Sequence, residues 1–190
     1  MKRVLFIFIS LMICVCGYSQ KHMKFQGIEI DGTKKEFVDK LIKKGYKYVG
    51  PADNMEMLSG TFTSKKAIVA VTSNSDNNVI SVGVMLPEKT EWKALVNEYN
   101  YYQKLYSQKY GMPVEVNEKD GSGTDDNYIK MMSLGNGETE WECWFETEEG
   151  EILLSIKGSK GIIDRSGHII IMYRDKTNFL ENQNKDIDDI

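Results

Sequence analysis

Short links between β-rich runs constrain this chain more than any other feature. Met55–Thr63, Lys66–Ser73 and Val79–Leu86 are rich in β-branched residues, and only "TSKK" (63–66) and "SNSDNN" (73–78) lie between them. Turn-forming links of this length join antiparallel neighbours; a parallel pair needs a long crossover. Ala67, Val69 and Val71 share one strand face, as do Ile80, Val82, Val84 and Leu86. That period of two predicts strands with one face toward a core.

A helical pattern precedes the meander. "FQGIEI" (25–30) reads as a short strand, and Asp31-Gly32 turns it. Thr33 and Glu36 then have the spacing of a capping box. Phe37, Val38, Leu41 and Ile42 form an apolar stripe behind it, and Gly45 supplies a left-handed stop. The outline then repeats. Thr90 is placed to cap a longer helix carrying Trp92, Leu95, Val96, Tyr99, Tyr102 and Tyr106, closed by "KYGMP" with Gly111 and Pro113. After a polar stretch at 117–127, strands are predicted at Thr139–Thr147, Glu151–Lys157 and His168–Arg174, with Glu149-Gly150 as a hairpin signal. "LIKKGYKYVG" and "LYSQKYGMPV" occupy matching places. The expected fold class is therefore α+β, an antiparallel sheet with helices packed on one face. It is read as two diverged helix-plus-meander units, 20–88 and 89–176, in one compact body of 20–190. Residues 177–190 read as a short polar helix or a frayed tail.

The first residues bear on compartment. Lys2 and Arg3 lead into an apolar run ending near Val15, with Gly17 and Ser19 at −3 and −1 of a cut before Gln20. This is the layout of a secretory signal peptide over 1–19, and the run is shorter than the ~20 apolar residues of a bilayer span. Cys14 and Cys16 are expected to leave with it. A lipid anchor on either cysteine is the alternative, but Ile13 and Val15 precede them where lipoboxes want a small residue. The mature chain would then be exported, periplasmic or secreted, with no transmembrane span. Its single thiol, Cys143, permits no internal disulfide and no Cys₄ or Cys₂His₂ zinc site.

Charge and motifs narrow the function. Without Lys2 and Arg3 the 24 basic residues fall to 22 against 28 acidic ones, a net charge of −6. That balance disfavours nucleic acid and anionic membrane surfaces. His22 lies close to the expected mature terminus, where order is not expected, and His168 reads as an imidazole at a strand edge. The sequence has no GxSxG elbow, HExxH or P-loop. "DGSGTDD" (120–126) fails as a calcium loop, because Asp125 and Met131 stand at positions 6 and 12, where Gly and Glu are needed. No cofactor or metal is implied.

"TEWECWFETEEGE" (139–151) is the most unusual segment. Alternation places Trp141, Cys143 and Phe145 on one face and Glu142, Trp144 and Glu146 on the other. Trp144 between carboxylates suits a partner-binding face, unless a loop or the C-terminal helix covers it. Glu142 and Glu146 are about 13 Å apart along one strand, too far for the ~5–9.5 Å pair of a glycosidase. Tyr101, off the apolar stripe of the second helix, is the other candidate contact.

Tandem helix-plus-meander units behind a signal peptide resemble the architecture of β-lactamase-inhibitor proteins and of SmpA/OmlA-type envelope proteins. "GIEIDGTKKEFVDKLIKKGY", "LSGTF", "KYGMP" and the ending "YRDKTN…DDI" are similar to uncharacterised exported proteins of gut anaerobes. The SmpA-type proteins are lipoproteins, a point of departure here, and no functional residue is carried over from either group. The expectation is an exported, monomeric, non-catalytic binding module for a protein or glycan partner in the envelope or outside the cell. The alternatives are an envelope-assembly accessory lipoprotein and a hydrolase with an unrecognised site.

Overall fold

The computed structural model describes residues 21–159 and 165–188; the expected signal peptide, its cysteines and the cut before Gln20 lie outside them. In chain order the elements are β1 (Lys24–Phe25), β2 (Ile28–Glu29), α1 (Lys34–Lys43), β3 (Lys47–Ala52), β4 (Met55–Phe62), β5 (Lys65–Ser73) and β6 (Val79–Met85). Then come α2 (Trp92–Tyr110), β7 (Glu115–Lys119), α3 (Asn127–Asn136), β8 (Glu140–Glu146), β9 (Gly150–Gly158), β10 (Gly167–Asp175) and α4 (Lys176–Asp188). The fold is α+β, as the patterning predicts.

Eight strands make one antiparallel sheet in the order β3-β4-β5-β6-β10-β9-β8-β7. Each half is a four-stranded run, one strand more than the sequence suggests, and the halves join where β6 pairs β10. Both extra strands are edges. β3 carries a bulge between Tyr48 and Gly50, which together with Pro51 and exposed side chains blunts the edge against pairing. The 25–30 segment is not one strand but a tight hairpin, β1–β2, because Gln26 (φ 49°) and Gly27 (φ 78°) take left-handed conformations at its turn.

The capping box forms as its spacing predicts: the Glu36 amide donates to the Thr33 hydroxyl at 3.3 Å and the Thr33 amide to the Glu36 carboxylate at 3.0 Å. At the other end the Gly45 amide donates to the Ile42 carbonyl and the Tyr46 amide to Leu41, with Gly45 at φ 99°. Phe37, Val38 and Leu41 are buried, whereas Ile42 turns out to be exposed.

The expected Thr90 cap does not form. The Trp92 amide donates instead to Asn127 Oδ1 at 2.7 Å, and Asn127 Nδ2 donates to the Thr90 carbonyl at 3.0 Å. Asn127 opens α3, a helix the sequence patterning leaves unassigned, itself capped by Asp126 and stopped by Gly137 at φ 77°. Its backbone approaches the sheet so closely that a Cβ on Gly158 would stand 2.8 Å from Gly135 Cα.

α2 packs on the sheet through Leu95, Tyr99, Tyr102 and Tyr106, and the Tyr106 ring meets Phe145 at 5.8 Å and Tyr173 at 6.3 Å. With α1, α3 and the β1–β2 hairpin it covers the face carrying Leu58, Val69, Val82, Ile171, Leu154 and Cys143. Among the described residues no helix is long and apolar enough to cross a membrane.

Candidate functional site

β8 divides its side chains as the alternation predicts. Cys143 and Phe145 are fully buried, and Trp141 is half-buried, edge-on to Trp92 at 5.2 Å. Burial pushes the Cys143 thiol up from its ordinary value. Glu142, Trp144 and Glu146 point to the opposite face.

Strand pairing extends that face into one cross-strand row: Met57 stands opposite Ala70, Ala70 opposite Gly83, Gly83 opposite Met172, Met172 opposite Leu153, and Leu153 opposite Trp144. Every member is only partly buried. A parallel row runs through Ile68, Met85 and Ile170, with Met85 38% exposed. An apolar band thus crosses the sheet on the side away from α1, α2 and α3. Sequence reasoning found Trp144 alone. Ile170 and Met172 alternate with buried Ile169, Ile171 and Tyr173, and that alternation was the available signal for the rest of the row.

Charged side chains border the band in pairs. Lys157 Nζ lies 3.0 Å from the Glu142 carboxylate, and Arg174 is hydrogen-bonded to Glu151. The Arg174 guanidinium stands 6.0 Å from the Trp144 ring centre and 4.8 Å from that of Phe179, on the first turns of α4. The C-terminal helix therefore reaches the margin of the Trp144 surface through Phe179, and Trp144 keeps partial exposure.

Tyr101 does not join this constellation. It lies on α2, in the helical layer, 52% exposed and edge-on to Tyr102, with Lys65 Nζ 5.9 Å from its ring. The structure brings Glu142, Trp144 and Glu146 to one face and leaves Tyr101 on another layer.

Both histidines differ from expectation. β10 is central, so His168 sits inside the sheet, 9% exposed, and burial pulls its imidazole below the ordinary value. His22 is ordered: its Nδ1 lies 3.2 Å from Oδ1 of the fully buried Asp175, which also accepts from the Met23 and Asn178 amides. Asp175 thereby ties the start of the described chain to the N-terminus of α4. In the acidic loop, Asp120 accepts from the Ser122 hydroxyl and amide and pairs with Lys130. The Lys130 and Ser122 hydrogen bonds hold its carboxyl down at about 2. Among the described residues no group of three or more His, Cys, Asp or Glu is placed to hold a metal ion. Comparison with family models, with curated proteins and with solved structures finds no match for this chain.

Proposed function

We propose that this protein is an exported, non-catalytic binding module that engages a protein or glycan partner through the open face of its sheet. The observation that carries the reading is the partly exposed row from Met57 through Met172 and Leu153 to Trp144. Contiguous exposed apolar surface with a polar rim is the mark of an interaction site in a soluble protein. Tryptophan supplies the area of a hot spot, and methionine adapts its shape to a partner. The paired charges on either side keep the rim wet and give orientation without leaving buried, unpaired charge. The signal-peptide layout of residues 1–19 supports export, and with it a partner in the envelope or outside the cell.

Two measurements test the reading. Mass spectrometry of protein from its own host should show a chain beginning at Gln20; an acylated mass on Cys14 or Cys16 would move the protein to the lipid-anchored alternative. A partner captured from envelope extract should be lost with Trp144→Ala and with Met172→Ser, each weakening capture by about 2 kcal/mol, while Tyr101→Ala has no effect. Capture indifferent to both open-face variants removes the proposed surface.

A further inference from the structure

The helical side of the molecule holds a second feature, separate from the open face. A cleft of about 390 Å³ opens between α2, the β1–β2 hairpin and the turn after β4. Its volume lies within the ~300–1,000 Å³ of small-molecule pockets. Phe62, Tyr102, Tyr106, Tyr110 and Tyr173 form its walls, and Lys24, Thr63 and Lys109 stand at its mouth. Tyr102, Tyr106 and Tyr110 follow one another at steps of four, so a single stripe of α2 turns three rings inward. Tyr106 and Tyr110 stack at 5.8 Å and 26°, which gives the cleft a nearly parallel aromatic wall.

Hydroxyl stoichiometry adds direction. Tyr106 and Tyr173 share one hydrogen bond, and Tyr102 shares another with Thr63 at 2.5 Å. Each pair has two O–H hydrogens and uses one between its members, so each keeps one for a further acceptor. Burial raises all three phenols, which therefore stay protonated and able to donate at neutral pH. Among the described residues no carboxylate lines the cleft. Lys24 is engaged by Glu29 at 3.2 Å, whereas among the described residues Lys109 meets only the Tyr110 ring, 4.7 Å from its ammonium.

We propose that this cleft binds a planar aromatic carboxylate, its ring against the tyrosine wall and its carboxylate at Lys109. Apart from the Gln26 amide and the two lysines, the lining offers two hydroxyl pairs, ring surface and Leu105. That suits a flat apolar ring with one acceptor-bearing end better than a sugar, whose many hydroxyls each need a polar partner.

The probe is 2-naphthoate, with 2-naphthalenemethanol as its uncharged counterpart, titrated into the purified protein by calorimetry and ligand-observed NMR. Saturable binding of naphthoate with a Kd of about 1 mM or tighter is expected, the level ordinary contact quality per atom gives a ligand of this size. Lys109→Gln should weaken naphthoate about fivefold, as for a solvated ion pair, and leave the alcohol unchanged. Leu105→Trp, which fills the cleft from a half-buried lining position, should abolish both, and Trp144→Ala should alter neither. The proposal fails if naphthoate does not saturate, if it binds no better than the alcohol, or if Lys109→Gln leaves its affinity unchanged. Because Lys109 is exposed, that variant tests the idea even if Leu105→Trp fails to fold.

Discussion

Trp141 and Trp144 share β8 but face opposite layers, and stability should separate them. Trp141 packs edge-on against Trp92 beneath α2, and being half-buried its truncation to alanine should cost about 2–3 kcal/mol, below the range for a fully buried aromatic. Trp144→Ala removes a partly exposed ring from the strand position opposite Leu153, outside the buried core, and should cost about 1 kcal/mol. Urea melts of the two variants decide it; a larger loss for Trp144→Ala would place that ring in the core. Asp120 offers a second residue-level test. Its folded value near 2 lies below its ordinary 3.8, so its ion pair with Lys130 contributes fully above about pH 4 and is lost as pH falls through about 2. Because the loop is exposed, the contribution is about 1 kcal/mol. NMR titration of the carboxyl carbon should show the low value, and Lys130→Met should move it up toward 3.8; an unmoved titration would break the assigned pair.

Among the elements, local signals were legible and distant ones were not. The capping box of α1, the hairpin at Thr63–Ser64 and the alternation of β5 and β8 are decided within a few residues and form as the sequence implies. β6 departs at its start: a register shift opposite Thr72 and Ser73 buries Val79 and leaves Ile80, expected on the face of Val82 and Val84, partly exposed. The two edge strands escaped because edges are selected against looking like strands: β3 contains Gly50 and Pro51, and β7 reads "EVNEK". α3 escaped because it buries only Met131, Ser133 and Leu134, too narrow a stripe for periodicity to reveal. The cap of α2 was illegible in principle, since Asn127 comes from the following helix. Trp144 was found from alternation within its own strand, whereas its row was not, since register across strands is a tertiary property. Asn127→Ala should therefore uncap α2 and cut its tie to the start of α3, costing about 1–2 kcal/mol in a thermal or urea melt. A change within error would mean that the Trp92 amide has another adequate partner.

At the scale of the whole molecule the strand order sets the terms. The N-terminal half ends at β6, the C-terminal half ends at β10, and those two strands form the seam between them, Ser81–Met85 against Ile170–Arg174. Pairings this distant in sequence make assembly slow, on the order of milliseconds to seconds. A chain ending at Gly158 should then show no cooperative urea transition, although it retains seven of the eight sheet strands; a sharp transition would mean that the first half folds alone.

The seam has a consequence for how the cell handles unfinished copies. Until Gly167–Asp175 is made, β6 and β9 present raw backbone edges flanked by Val82, Val84, Leu154 and Ile156, the kind of surface that proteases and holdase chaperones recognise. A copy lacking its last strand thus carries its own rejection signal, and pairing of Gly167–Asp175 between β6 and β9 erases it.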